Sequence, residues 1–477
     1  MRQTTDQGLY IHVPFCHQRC HFCAFYLEIH HPHAAVEFVA SLLTELRLYA
    51  KDSPLDPRPL GSIYFGGGTP TTLDADHLTR ILSAAREAFG LESDAEVTVE
   101  AHPGSVTSES LRELRSSGFT RLSLGAESMN QSELDRVGRP GSPLNTRQVV
   151  TAAREAGFEN INLDLMYGLP GQTVESWNNS LQETLNLSPT HLSCYALTVE
   201  DGTALQTAIL RGRVPAPDES LQNELEDLAE TTLTGAGYRR YEISNYCRPG
   251  FASRHNRLHW TGGHYLGLGP SAQSSVGGRR FGNVSNLAAY HSSLRNGRLP
   301  VSESEQLSRA HQACDRLIFG LRLTEGVALN EINALSFRGL AGTIDRLAAD
   351  RLLERNGHVV RLTARGRRYA DTVAVALLAG LEEAPHSASA LDFSALPRQQ
   401  CTDAANDIVV GREAASPEST SVRRLVPCRS IWIPANAADV SRLKNSRRPR
   451  PGKTPQKSGN SVRVRKQIVR RRLPKRN

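Results

Sequence analysis

Over its first two hundred residues the chain alternates short apolar runs with amphipathic stretches, six times in succession. The strand-like runs fall at 8–13, 62–65, 96–101, 121–124, 160–166 and 191–197. Between them, 33–51, 75–89, 108–117, 146–156 and 174–187 carry apolar residues at helical spacing. Strand–helix units in series build a parallel sheet covered by helices, here either an open partial barrel of six strands or a doubly wound sheet. The unusual residues favour the barrel because they gather at strand C-terminal ends. A cysteine loop follows the first strand, Gly66-Gly67-Gly68-Thr69-Pro70 the second, and Glu127 the fourth. Glu100 closes the third, Asp164 lies within the fifth, and Gly168-Leu169-Pro170-Gly171 follows it. Parallel barrels build their sites at that rim.

The pattern changes near residue 216. A helix over 219–235, a strand over 238–245 and a Gly- and aromatic-rich stretch over 255–283 read as an extension that closes the barrel. A helix over 302–323, further helices and a short β wing at 359–363 read as a small winged-helix-like α+β domain. The expected organisation is therefore a barrel over 1–215, an extension over 216–300, a C-terminal domain over 301–380 and a tail over 381–477. The tail holds 20 Lys and Arg against 8 Asp and Glu, so the chain's net charge of +7 hides a main body of net −5. Composition predicts a disordered basic tail, either a solvated extension or a footing for RNA, DNA or anionic lipid. The acidic balance of the body argues against nucleic acid as its partner. No apolar run reads as a signal peptide or a membrane span, which points to a cytoplasmic, reducing setting.

Cys16, Cys20 and Cys23 stand in C-x3-C-x2-C spacing, and the other cysteines are scattered singly. In a reducing compartment such a trio is a metal or catalytic site before it is a disulfide framework. Zinc prefers four ligands, commonly as two pairs. Three thiolates suit three irons of a four-iron cluster, with the fourth iron open.

Several separated motifs then agree. They are Tyr-Ile-His-Val-Pro-Phe-Cys from Tyr10, Gly-Gly-Gly-Thr-Pro from Gly66, Val-Glu-Ala-His-Pro-Gly from Val99, Leu-Ser-Leu-Gly-Ala-Glu-Ser from Leu122, Asp-Leu-Met-Tyr-Gly-Leu-Pro-Gly-Gln from Asp164, and Tyr-Glu-Ile-Ser-Asn-Tyr from Tyr241. Over about 8–380 the chain resembles radical S-adenosylmethionine (SAM) proteins, specifically the oxygen-independent coproporphyrinogen III oxidases and their HemW-type heme chaperone relatives. The resemblance implies a partial (β/α)6 barrel with a 4Fe–4S cluster on Cys16, Cys20 and Cys23, and SAM chelating the open iron. It implies that Gly67, Gly68 and Thr69 approach the methionine part of SAM. Glu100 and Asp164 would take its polar groups, Arg139 its carboxylate, and Tyr10 and Phe22 would pack near the cluster and adenine. Glu127 stands where the family usually has glutamine.

Two departures separate the branches of the resemblance. The oxidases carry a fourth cysteine two residues after the third, where this chain has Phe25, and they have a longer segment before the Tyr-Ile-His motif, where nine residues precede Tyr10 here. The stretch His255-Asn256-Arg257-Leu258-His259-Trp260 resembles the chaperones' heme-binding segment, with His259 in place of a tyrosine. Gln273 stands where a histidine is common. The resemblance therefore implies a chaperone that holds cluster, SAM and heme, with His255 as the candidate iron ligand. Its partners are an electron donor and acceptor apoproteins, including ones at the membrane. The alternatives are oxidative decarboxylation of coproporphyrinogen III to protoporphyrinogen IX, a dehydrogenase-like activity, and radical chemistry on RNA.

Overall fold

The computed structural model describes residues 6–333 and 338–382. The expected basic tail lies outside the described residues from 383 onward.

Six parallel strands form the barrel: Gln7–Val13, Leu60–Gly67, Leu91–Ala101, Arg121–Glu127, Asn160–Tyr167 and His191–Ala196, hydrogen-bonded in that order. Their burial follows from period-2 alternation. Leu9, Ile11, Ile63, Phe65, Val97, Val99, Leu122, Leu124, Ile161, Leu163 and Leu192 form one continuous apolar cluster with the helices. The alternate positions are polar on every strand: Tyr10 and His12; Ser62 and Tyr64; Glu96, Thr98 and Glu100; Arg121 and Ser123; Asn162 and Asp164; His191 and Ser193. They meet one another in the lumen, as in the contacts of Asn162 Nδ2 with Ser123 Oγ and Asp164 Oδ1, both 2.8 Å. Closed parallel barrels fill their interior with branched apolar residues. A polar lumen is what a barrel with contents requires.

The covering helices start where local chemistry says they should. Thr107 with Ser110 and Thr173 with Ser176 form reciprocal caps at the starts of Ser108–Ser117 and Val174–Asn186. Trp177 is fully buried and donates its indole N–H to the carbonyl of Leu225, 2.9 Å away, which ties Val174–Asn186 to the helix Glu219–Gly235.

The barrel stays open, and both edges are extended. His264–Leu268 pairs in parallel with the first strand, and Asn245–Cys247 pairs antiparallel with the sixth. Gln273–Val276, Arg279–Asn283 and Val301–Gln306 continue the sheet to twelve strands. Two expected elements differ. The single helix over 302–323 is a strand, Val301–Gln306, then a helix, Arg309–Gly320. Ser308 separates them, its hydroxyl accepting from the His311 N–H as the cap. The strand over 238–245 is two short pieces, Arg239–Arg240 and Asn245–Cys247, because the fully buried Glu242 carboxylate turns the chain and takes the Ser244 N–H at 3.0 Å.

A second apolar cluster built on Leu317, Leu329, Ile344, Leu353, Val360 and Leu377 forms the C-terminal unit. Its three-stranded wing orders Val327–Ala328, Val359–Leu362 and Leu353–Asn356 beside Arg338–Ala349 and Ala370–Glu382. Among the described residues no helix is long and apolar enough to cross a membrane.

Candidate functional site

The first strand runs into a loop that folds back on itself. Phe15–Cys16 pairs in parallel with Glu28–Ile29, and Arg19 ties the turn by donating to the carbonyls of Phe25 and Leu27, both at 3.1 Å. The loop is pinned to the rim by His21 N–H to the Val137 carbonyl, 2.9 Å, and Leu205 N–H to the His21 carbonyl, 2.8 Å. This leaves Cys20 buried and Cys16 and Cys23 half-buried at the strands' C-terminal mouth. Burial raises the thiols of Cys16 and Cys23, the latter to about 11. Phe22 packs beside Val137, Met166, Leu169 and Leu197. Phe25 is 43% exposed.

The glycine turn lies against this loop. Gly68 N–H bonds the Val13 carbonyl at 2.8 Å and Thr69 N–H the Phe15 carbonyl at 2.7 Å, while Thr69 Oγ1 lies 3.3 Å from Cys16 Sγ. A Cβ on Gly68 would stand 2.5 Å from the Phe15 carbonyl oxygen, and one on Gly67, at φ +109°, 2.8 Å from the His12 ring. These two glycines are needed by the close approach of turn to cysteine loop. The room inside the lumen comes instead from Gly66 and Gly125. A Cβ on Gly66 would meet Glu100 and Tyr10 at 3.2 Å, and one on Gly125 would meet the Arg139 guanidinium at 2.5 Å.

Arg139 joins the two halves of the mouth. Its Nη1 lies 3.5 Å from Cys20 Sγ, its Nη2 donates to the Gly125 carbonyl at 2.5 Å, and the same nitrogen is 3.5 Å from Glu127 Oε1. Burial works against its charge, and Glu127 and Cys20 overturn that, holding the guanidinium above its ordinary range. Its Nε is buried without a partner. Glu127 sits at a bulge between the fourth and fifth strands with φ +63°, which turns its carboxylate toward Arg139 and the Tyr195 hydroxyl, 2.9 Å away. Burial raises its pKa and Arg139 opposes the rise.

Glu100 is the acceptor of the Tyr64 hydroxyl at 2.6 Å, and burial, aided by Asp164, pushes it up to about 8. Burial also raises Asp164, against the hydrogen bonds of Ser193 and Asn162. Tyr10 stacks on Tyr64, with centroids 6.2 Å apart. Of the expected residues, Cys16, Cys20, Cys23, Thr69, Glu127 and Arg139 meet at the mouth, with Phe22 beside them, while Tyr10, Glu100 and Asp164 line the lumen beneath. Sequence reasoning missed Tyr64, Asn162, Ser193 and Tyr195. Their signal is the polar residue at each inward position of an otherwise apolar strand.

His255 lies elsewhere. It belongs to the helix Arg254–Trp260, which closes the floor at the strands' N-terminal ends. Its N–H and those of its neighbours Ser253 and Arg254 are gathered by the Glu96 carboxylate. Its Nδ1 is 2.9 Å from Ser62 Oγ, its ring stacks 5.1 Å from Tyr64, and the residue is 2% exposed. Ser62 precedes Gly67 by five residues of extended chain, which puts His255 about 16 Å from the glycine turn. Its Nε2 is buried without a partner, and ligation of a macrocycle there requires the helix to leave the floor.

The donor set fits an iron–sulfur cluster with SAM. Among the described residues no three His, Cys, Asp or Glu converge on a single ion. A zinc ion would draw its thiolates to about 2.3 Å of one point, whereas a cluster takes one thiolate at each of three irons. The orphaned Arg139 Nε and the space left by Gly66 and Gly125 lie beside the cysteines, where a polar ligand would sit.

The Radical SAM superfamily profile matches residues 10–183, and the HemN C-terminal domain profile matches residues 307–369. The heme chaperone HemW of Mycobacterium tuberculosis is 36% identical over 374 residues, covering 78% of this chain and 94% of that protein. The heme chaperone HemW of Bacillus subtilis is 32% identical over 381 residues, covering 79% and 100%. The solved structure of coproporphyrinogen III oxidase (HemN) from Escherichia coli, a radical SAM enzyme, superposes with a TM-score of 0.70 at 26% identity over 78% of this chain and 90% of that one. On the full-length likeness to these relatives, the chain belongs to the HemW family of radical SAM proteins.

Proposed function

We propose that the protein is a heme chaperone that holds a 4Fe–4S cluster and SAM, binds heme and passes it to acceptor proteins in the cytoplasm or at the membrane. The observation that carries this reading is the mouth itself: three thiolates, a buried guanidinium with a free N–H, and Phe25 where the oxidase branch has a further cysteine. Cys16, Cys20 and Cys23 hold the cluster. Arg139 orients the SAM carboxylate through its free Nε, and Glu127 with Tyr195 keeps that guanidinium in place. Glu100 and Asp164 accept from SAM's hydroxyls, and Phe22 excludes water from the loop's inner side. When bound, the cluster supplies an open iron and a single electron from an outside donor.

The test is a paired assay on anaerobically purified protein. The chaperone reading expects a Soret band that saturates at one heme per chain, loss of that band to an apo-acceptor, and no decarboxylation of coproporphyrinogen III. Turnover of coproporphyrinogen without heme binding overturns it in favour of the oxidase.

A further inference from the structure

Five of the chain's 16 histidines, His17, His21, His30, His31 and His33, fall within seventeen residues that begin at the cysteine loop. The fold draws four of them into one surface. The short ladder sets Cys16 opposite Ile29, so His17 comes beside His30, with ring centroids 5.2 Å apart. His30 stands edge-on to the buried Phe15 ring at 6.0 Å, which fixes it. His31 and His33 follow at once, their rings stacked 5.7 Å apart. His17, His31 and His33 are exposed. Between and beside them Phe25, Ile29 and Val36 are 43%, 58% and 57% exposed, a concentration of bare apolar side chains within twelve residues.

This surface is built against local preference. His31 is the N-cap of Pro32–Lys51 and makes no capping hydrogen bond, and the helix has no acid in its first turn. Helix starts ordinarily take Ser, Thr, Asp or Asn at the cap and acids just inside it. Local rules broken together in one exposed stretch mark a functional surface. Among the described residues no three donors here could chelate a bare ion. An iron that binds must therefore bring its own equatorial ligands and need one imidazole, on a surface that offers apolar contact to a flat ring. Heme has that chemistry, with a proximal histidine and packing on the macrocycle. The buried His255 offers neither access nor a free face.

Resting on the chaperone reading, we propose that heme docks on the outside of the cysteine loop, on the surface of His17, His30, His31, His33, Phe25 and Ile29, with one of these imidazoles on the iron. Cargo and cluster would then share one loop, and the barrel floor would take no part.

The experiment is a hemin titration of cluster-loaded wild type, the His17→Ala/His30→Ala/His31→Ala/His33→Ala variant, the milder His31→Ala/His33→Ala variant of exposed positions, and His255→Ala. Soret absorbance and the low-spin EPR signal of imidazole-bound iron are the readouts, with iron content reporting the fold. The proposal expects the quadruple variant to bind hemin at least tenfold more weakly and to lose the imidazole signal, at unchanged iron content. It expects the double variant to bind at least threefold more weakly and His255→Ala to bind within twofold of wild type. Unchanged binding in the quadruple variant overturns the proposal and leaves the chaperone reading standing, as does loss confined to His255→Ala. If the quadruple variant loses its iron, the double variant decides: wild-type affinity there overturns the proposal. A wild type that gives no Soret band overturns both.

Discussion

Replacing Arg139 with methionine keeps most of the side chain's length and removes the guanidinium set between Cys20 and Glu127. Glu127 is then left 6% exposed with the Tyr195 hydroxyl as its hydrogen-bond donor. At the observed 3.5 Å, the lost attraction is roughly 4–5 kcal/mol at an effective dielectric of about 20. The loss has a ceiling, because the carboxyl can escape it by taking up a proton. From its ordinary value of 4.5, neutralising Glu127 costs about 3.4 kcal/mol at pH 7 and about 1.4 kcal/mol at pH 5.5, at about 1.36 kcal/mol per pH unit. The sign follows from linkage. In the variant the folded state binds a proton that the unfolded state has released, so stability falls as pH rises from the unfolded pKa through the raised folded one. Folds lose about 2.1 cal/mol/K per residue on melting, so the variant should melt about 4 °C lower at pH 7 and about 2 °C lower at pH 5.5. Anaerobic thermal unfolding followed by circular dichroism measures this, with Glu127→Gln made alone and in the Arg139→Met background. The double variant buries no lone charge and should lose the pH-dependent part. An equal loss at both pH values, or a double variant with the single variant's pH slope, would refute the pairing.

Cys20→Ser should abolish the cluster, taking about four irons per chain to near zero; full iron content in that variant would sink the assignment. Gly125→Ala should weaken SAM binding about tenfold by equilibrium dialysis while leaving iron content intact, because its Cβ would stand 2.5 Å from Arg139 Nη2; unchanged affinity would show that the guanidinium does not meet SAM. Burial pushes Glu100 up to about 8, so it is mostly protonated at neutrality and gains acceptor character as pH rises. SAM affinity should therefore strengthen between pH 7 and pH 9 in wild type and stay flat in Glu100→Gln, and a slope shared by both would exclude Glu100 as the titrating contact.

Much of the barrel was legible because each strand–helix unit is a local pattern. The helices 75–89, 108–117 and 219–235 appear with the bounds that periodicity and caps indicate. The cysteine mouth was legible because its residues sit in short contiguous motifs at strand ends. What escaped depends on contacts between distant parts. The helix expected over 302–323 gives way to the strand Val301–Gln306 because Arg279–Asn283 offers it a partner, which local periodicity does not reveal. The positive φ of Glu127 arises from a register shift between two strands, and a sequence carries no mark of it. His255 reads as an available imidazole in sequence, and only the helix–floor contact with Ser62 and Glu96 shows it enclosed.

The pairing of Gln7–Val13 with His264–Leu268 has a consequence for biosynthesis. The strand that leads into the cysteines is bonded on one side to Leu60–Gly67 and on the other to a segment more than 250 residues later. At a synthesis rate of about 5–20 residues per second, that backbone edge waits roughly 12–50 s on the ribosome for its second partner. Unpaired edges template mispairing with other chains. Iron loaded during that interval would enter a barrel with no floor and one side missing. The order of assembly written into the topology is therefore release first, closure of the sheet by 264–268 second, and cluster insertion last.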